Sequence, residues 1–308
     1  MAEITAGMVK ELREKTGAGM MDCKKALGET GGDLDAAVTY LREKGLAAAA
    51  KKAGRVAAEG LVRIAIEGKV AAIVEVNCET DFVAKNDDFQ KLALDVSATV
   101  VKAAPADLDG LLDADLGGKK VKDVVTEKIS TIGENISVRR FARLDQGDVY
   151  GDYLHGGGSI GVVVELKLED GSKSGAESLV NLAKDLAMHV ASEDPISVAR
   201  DEVPESTLVA ERAIYRQQAL EQGKPENIVD KIVEGRVQKF FAERVLLEQP
   251  FVKDPDFTVK KLVEKVAKEV GTGVTLTRFS RFKVGEGIEK KSDNLAEEVA
   301  RMTGGASA

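Results

Sequence analysis

The feature that most restricts this chain is an internal repeat whose spacing changes partway along. Ala72-Ile73-Val74-Glu75-Val76 and Val162-Val163-Val164-Glu165-Leu166 are strand-like runs lying 90 residues apart. The same offset pairs Leu92-Ala93 with Leu182-Ala183, Asp95 with Asp185, Val100 with Val190 and Pro105 with Pro195. Further on the offset becomes 138: Val121-Lys122 pairs with Val259-Lys260, Gly133 with Gly271, Arg140-Phe141 with Arg278-Phe279, Arg143 with Arg281, and Gly147 with Gly285. One unit therefore reads as a hairpin, a helix, a second helix and a strand, and the chain holds two copies. The expected fold class is α+β, a two-copy core with antiparallel sheets.

The step from 90 to 138 means that copy two carries 48 extra residues between Pro195 and Val259. They read as two helices around Gly223-Lys224-Pro225. The first has Leu208, Tyr215, Ala219 and Leu220; the second has Ile228, Ile232, Val233, Val237, Phe240 and Phe241 at helical spacing. Two antiparallel helices of ~20 residues would project ~30 Å. Such an insertion either serves as an arm for a partner or folds back on its own core.

Ahead of the repeat, three short helices are expected. Thr5 caps a run containing Val9 and Leu12, and Thr16-Gly17-Ala18-Gly19 breaks it. Met20 to Leu27 forms a second, stopped near Gly31-Gly32. Asp33 caps a third, with Leu34, Val38 and Leu41 on one face and Gly45 after it. A bundle this small suits recognition. Ala47 to Ala58 is an Ala/Lys linker, helical or mobile. After the repeat, Asp293 caps a short amphipathic helix carrying Leu295, Val299 and Met302.

Length and composition narrow the function classes. At 308 residues, about two domains are expected, at ~150 residues each. No apolar run approaches the ~20 residues of a membrane helix, and Met1 to Thr5 lacks the layout of a signal peptide, so a cytoplasmic protein is expected. Cys23 and Cys78 suit a reducing compartment. A net charge of −8 argues against wholesale binding of nucleic-acid phosphates. The local exception, Lys51, Lys52 and Arg55, reads as a solvated hinge.

A search for chemistry finds little. There is no phosphate-cradling G-x-x-x-x-G-K-[ST] loop. Two histidines and two cysteines far apart give no zinc spacing; neither metal nor cofactor is expected. His155-Gly156-Gly157-Gly158-Ser159-Ile160-Gly161 holds both an HGGG string and G-x-S-x-G. In an esterase, though, the serine sits between a strand and a following helix, whereas Ser159 precedes a strand. His155 is then a loop residue at a surface contact, and His189 a packed core histidine.

More informative is Asn77-Cys78-Glu79-Thr80-Asp81-Phe82-Val83-Ala84-Lys85-Asn86-Asp87, which follows the strand of copy one. Thr80 or Asp81 can cap a helix there. Phe82 is either tucked inward or a protruding anchor. At the matching place copy two has Asp170-Gly171-Ser172, so the shared fold does not demand Asp-Phe.

Four strings carry a family resemblance. Thr16 to Leu27 resembles the N-terminal signature of the bacterial elongation factor Ts family, and Asn77 to Ala84 its second signature. Ile132-Gly133-Glu134-Asn135-Ile136 and Gly285-Glu286-Gly287-Ile288-Glu289-Lys290 are similar to two further family strings. The resemblance covers essentially the whole chain in order. It implies a guanine-nucleotide exchange factor for elongation factor Tu, which binds the GDP-bound GTPase, displaces its magnesium and so lets GDP leave and GTP bind. No chemistry of the factor's own is required. The implied layout is a UBA-like helical partner-binding domain and linker over 1–54, core subdomain one over 55–150, core subdomain two over 151–195 and 249–285, an inserted coiled-coil hairpin over 196–248, and a C-terminal module with a short helix over 286–308.

Roles carry over onto matching residues. Asp81 and Phe82 fall on the family's wedge, and Thr80 and Val83 complete the segment linked to magnesium displacement. Arg13, Met20 and Met21 match N-terminal contacts to the GTPase. Ile132, Gly133 and His155 match positions that meet or shape the partner surface. Gln249-Pro250-Phe251-Val252 looks like the return from the hairpin, and Lys253 departs from the Met of some members. The implied assembly is a heterodimer or a 2:2 heterotetramer with the GTPase, without direct nucleic-acid or membrane contact. The alternatives are a protein-binding adaptor on the same fold that does not exchange nucleotide, and a hydrolase using Ser159.

Overall fold

A computed structural model describes residues 4–289; the expected tail helix over Asp293 to Met302 lies outside them. The chain begins with α1 (Ala6–Thr16), α2 (Met20–Glu29) and α3 (Leu34–Lys52). The Thr5 hydroxyl accepts the Met8 amide and the Asp33 carboxylate accepts the Ala36 amide, each satisfying an orphan donor of a first helical turn. Val9, Leu12, Cys23, Ala26, Leu27 and Ala37 form the small core of these helices.

Copy one follows. Strands β1 (Glu59–Glu67) and β2 (Val70–Cys78) make a hairpin, then come α4 (Asp81–Ala84), α5 (Asp87–Ala103), α6 (Leu108–Asp113), the short pair β3 (Asp115–Leu116) and β4 (Lys119–Lys120), α7 (Val121–Ile132) and β5 (Ser137–Leu144). Copy two runs β6 (Val149–His155), β7 (Ile160–Leu168), α8 (Glu177–Glu193), the inserted α9 (Glu205–Glu221) and α10 (Glu226–Arg244), the pair β8 (Pro250–Phe251) and β9 (Asp254–Thr258), α11 (Val259–Val270) and β10 (Val274–Lys283). The sheets are antiparallel, in the orders β1-β2-β5 and β10-β7-β6. The chain is thus an α+β protein.

Several equivalent elements share both ends at the offsets read from the sequence. Residues 70–78 match 160–168, 87–103 match 177–193, and 121–132 match 259–270. Even the terminators agree. Ala104 and Asp194 close α5 and α8 with φ of 47° and 48°, and Gly133 and Gly271 close α7 and α11 in the same left-handed region. Each outer strand carries a bulge at the same place: Arg139 is the extra residue of β5 and Thr277 that of β10.

Strand β2 is buried along nearly its whole length, because both faces are covered. On one face Ala72, Val74 and Val76 meet Phe89, Leu92, Val96 and Val100 of α5. On the other, Ala71 and Ile73 meet Val163 of β7, so the two sheets share a core. Full burial of a side chain such as Phe89 is worth about 2–3 kcal/mol.

Three expectations need correction. Gly45 does not end the third helix. It lies buried inside α3, where a Cβ would come within 3.7 Å of Ser130 on α7. The alanine run after it propagates the helix, and the missing side chain lets α3 lie along α7. Nor is the basic cluster simply a solvated hinge: Lys52 Nζ donates to the Ile129 carbonyl at 3.3 Å, and Arg55 lies 3.5 Å from Glu79. In the inserted hairpin, Leu220 and Ile228 point outward, while Val229 is buried.

The hairpin's apolar residues form a cluster of their own, Ala219, Val229, Val233, Val237, Phe240 and Phe241 among them, that joins neither sheet's core. Arg212–Glu234 and Arg216–Asp230 pairs zip its two helices. Its root is polar and buried. Gln249 donates to the Glu193 and Glu243 carbonyls and accepts from His189 Nε2 at 3.0 Å, while His189 Nδ1 accepts the Val252 amide at 3.2 Å. Burial holds the His189 pKa below its ordinary value. No helix among the described residues is long and apolar enough to cross a membrane.

Candidate partner-binding site

Strand β2 ends at Cys78, and the chain turns at once into α4, four residues long. Of the two candidate caps, Thr80 performs the task, its hydroxyl accepting the Val83 amide at 3.4 Å. Val83 packs partly against the core of copy one. Phe82 points the other way and is 81% exposed, the most exposed large apolar residue described. Asp81 is exposed beside it and bonded to Lys85 at 2.7 Å, which lowers its pKa. An aromatic ring held in water forgoes the favourable transfer that drives burial, so a partner that covers it gains that free energy.

The turn is tied down at both ends. Glu134, in the loop between α7 and β5, accepts the Glu79 and Thr80 amides at 3.0 Å each and the Thr80 hydroxyl at 2.6 Å. In return the Glu79 carboxylate accepts the Asn135 amide at 2.6 Å, and Asn135 donates to the Arg55 carbonyl at 2.8 Å. At the far end Gln90 donates to the Lys85 carbonyl at 3.2 Å and accepts from Arg63 at 3.1 Å; Arg63 also donates to the Gly157 carbonyl at 3.0 Å. Beneath the turn, burial pushes the Cys78 thiol up to about 12, with the Glu134 charge adding to the effect, so it stays a neutral thiol that donates to the Thr80 carbonyl.

These ties decide which residues named from the sequence come together. Ile132 packs partly against the same core cluster as Val83, and Gly133, with φ of 90°, turns the chain from α7 into the Glu134 loop. His155, at the end of β6, is joined to the α4 turn through Gly157, Arg63 and Gln90. Arg13, Met20 and Met21 sit on α1 and α2; the two methionines are 60% and 74% exposed. They share no side-chain bond with the turn. Their unit reaches it through α3, which docks on α7, and through Arg55 just beyond α3, whose carbonyl accepts from Asn135.

The serine motif takes a different form from an esterase's. Ser159 donates to the His155 carbonyl at 3.1 Å rather than to an imidazole, and the His155 ring lies 3.3 Å from the Tyr153 hydroxyl. Gly156 to Ser159 form the turn between β6 and β7, and His155, expected in a loop, is the last paired residue of β6. Among the described residues no group of three or more His, Cys, Asp or Glu could hold a metal ion.

Reading the sequence missed Glu134, Glu79, Gln90 and Arg63 as parts of this site. One signal was present. The 138-residue offset places Thr272 opposite Glu134, just as the 90-residue offset places Ser172 opposite Phe82. Both differences fall at one corner of the unit.

Comparison with known proteins places the chain in a family. Residues 79–286 match a family model described as Elongation factor TS. The chain is 53% identical over 305 residues to Elongation factor Ts of Clostridium perfringens (strain SM101 / Type A), covering 98% of this chain and 99% of that protein. The corresponding protein of Syntrophotalea carbinolica is also 53% identical over 305 residues, with the same coverage of both chains. That of Thioalkalivibrio sulfidiphilus is 50% identical over 307 residues, covering 98% of this chain and 99% of its own. With identity of this order along almost its full length, the chain belongs to the elongation factor Ts family.

Proposed function

We propose that the Thr80–Val83 turn is the working end of this protein, which acts as a guanine-nucleotide exchange factor for elongation factor Tu in translation elongation. The observation that carries the site reading is Phe82, held out in solvent on a turn braced at both ends. The ring inserts into the GTPase near its magnesium, with Asp81 beside it. Thr80 and Val83 set the turn's attitude. Once the metal loses ligands, the nucleotide phosphates lose charge compensation and GDP leaves.

Linkage governs the rest. A factor that binds the empty GTPase better than the nucleotide-bound form must weaken nucleotide binding by the same ratio. GTP in excess rebinds and expels the factor, which ends unchanged and needs no general acid, base or nucleophile. Met20, Met21 and Arg13 supply a second contact from the N-terminal unit, which we read as UBA-like over 1–54. Ile132, Gly133 and His155 shape the surface around the wedge. We read 196–248 as a coiled-coil arm, the assembly as a heterodimer or a 2:2 heterotetramer, and the compartment as the cytoplasm.

The test is release of a fluorescent GDP analogue from elongation factor Tu. Substoichiometric protein should speed release strongly, and Phe82→Ala should remove most of that acceleration while binding persists. Binding without acceleration by the unaltered chain would make it an adaptor and end this reading.

A further inference from the structure

We propose that Glu134 is a positioning residue for nucleotide exchange: its carboxylate fixes the α4 turn so that Phe82 meets the partner already oriented. The proposal rests on the Phe82 reading above and adds a residue to it.

A helix of four residues does not stand by itself, because one turn fixes several dihedrals in exchange for very few hydrogen bonds. None of the four residues of α4 is fully buried, and with only Val83 and Ala84 packed partly against the core, packing supplies part of what is missing. Side chains from elsewhere supply the rest. Both oxygens of Glu134 are engaged, Oε2 by the Glu79 and Thr80 amides and Oε1 by the Thr80 hydroxyl. Hydrogen bonds to a charged acceptor are among the stronger ones, and these converge on the two residues that lead into the turn. Thr80 is the hinge of the arrangement: it gives its proton to Glu134 and takes the Val83 amide in return. The direction in which Phe82 leaves the body is therefore set by Glu134.

Copy two separates the structural requirement from the special one. There the same two loops meet without a carboxylate between them, through a threonine hydroxyl, a backbone bond and Lys173, whose Nζ donates to the Val270 and Gly271 carbonyls at 2.9 and 2.7 Å. Thr272 Oγ1 accepts the Asp170 amide at 3.0 Å, and the Glu169 amide goes to the Gly273 carbonyl at 3.0 Å. Thr272, Lys173 and a backbone bond are enough to join the loops where Ser172 occupies the place of Phe82. The carboxylate is found in the copy that displays the aromatic. Preorganising that turn reduces the ordering cost of association, so losing the brace should slow exchange rather than unfold the protein.

The experiment takes the full chain and installs the copy-two residue, Glu134→Thr, and separately Glu134→Gln, each with Phe82 intact and with Phe82→Ala. Catalysed GDP release, equilibrium binding to the nucleotide-free GTPase and the thermal midpoint are read for each. Glu134→Thr should retain its midpoint within a few degrees and slow exchange roughly tenfold. Glu134→Gln keeps one acceptor oxygen and should recover part of the rate. In the Phe82→Ala background Glu134→Thr should have no further effect, because the group it positions is gone. Full-rate exchange by Glu134→Thr overturns the proposal, as does an equal loss in both backgrounds. Should Glu134→Thr melt early, Glu134→Gln decides on the same criteria. If Phe82→Ala alone exchanges at the unaltered rate, the Phe82 reading falls and this proposal falls with it; the other two failures remove Glu134 only.

Discussion

Copies one and two share a hairpin, a long helix, a second helix and a bulged outer strand, yet they use their buried carboxylate differently. Glu75 and Glu165 occupy matching places on β2 and β7, and both are buried. Glu75 is held by charge: Arg139 at 3.0 Å and Arg140 at 2.6 Å, with the Gly285 amide at 2.8 Å. Glu165 is held by neutral donors, the Thr277 hydroxyl at 2.7 Å and the Gln146 amide at 3.1 Å. The bulged residue reaches the acid in each copy, arginine in one and threonine in the other. The repeat preserves a geometry in which an acid meets the bulge, and leaves the partner's chemistry free. The ionic version ties copy one to the end of the described chain, since Arg139 and Arg140 also bond Glu286 and Lys283.

That contrast can be broken first at the acids. Glu75→Ala leaves two arginines without their carboxylate and should destabilise by about 3 kcal/mol, the low end for a broken buried pair because the arginines are partly exposed. Glu165→Ala removes an acceptor from neutral donors and should cost roughly 1–3 kcal/mol. Urea unfolding midpoints compare them; equal losses would mean that the ionic and neutral versions are energetically interchangeable.

The second contrast is Phe82 against Ser172. Phe82→Ala should lower exchange by roughly thirtyfold, the loss of a ~2 kcal/mol anchor, with the unfolding midpoint unchanged because the ring buries so little in the free protein. Stopped-flow GDP release reads the rate. A matching loss in Ser172→Ala would dissolve the asymmetry between the copies.

The third lies on the long helices, where His189 of α8 corresponds to Thr99 of α5 at the 90-residue offset. His189 is neutral and bonded on both nitrogens, its pKa lowered by burial, with the Gln249 hydrogen bond and then the Glu193 charge pulling the other way. The unfolded chain therefore binds the proton more readily. Stability should be complete above the ordinary histidine value of about 6.5 and fall as pH drops below it, by at most ~1.4 kcal/mol per pH unit from this group. His189→Gln should flatten that part of the stability–pH profile. A slope that survives the substitution assigns the effect elsewhere.

The smallest effect is expected at Thr272, whose hydroxyl accepts the Asp170 amide in an exposed bond. Thr272→Ala should cost ~1 kcal/mol or less and leave exchange untouched. A fall in exchange would show that copy two also braces a working surface.

Much of this is legible in the order of the amino acids. The repeat, the α+β class, the two inserted helices and the caps at Thr5 and Asp33 follow from periodicity and cap chemistry, which act over a few residues. The Phe82 turn is legible because the repeat acts as an internal control: a residue that one copy needs and the other lacks is not explained by the fold. Gly45 misleads for a local reason, since a glycine late in a helical pattern resembles a terminator until the packing of α7 is known. Leu220 and Ile228 mislead in the same way, because helical spacing marks a stripe without saying how wide the covering neighbour is.

What the sequence determined by itself is therefore the order and kind of the elements, the doubling of the unit, and the place where Phe82 in one copy faces Ser172 in the other. Only the tertiary structure decided that Glu134 grips Thr80 from 54 residues away, that Arg63 and Gln90 tie the turn to the His155 hairpin, and that α3 lies along α7. The physical reason is range. Caps and periodicity are set by neighbours along the chain, whereas a carboxylate finds its amides only after both sheets have packed and brought two loops to within a hydrogen bond of each other.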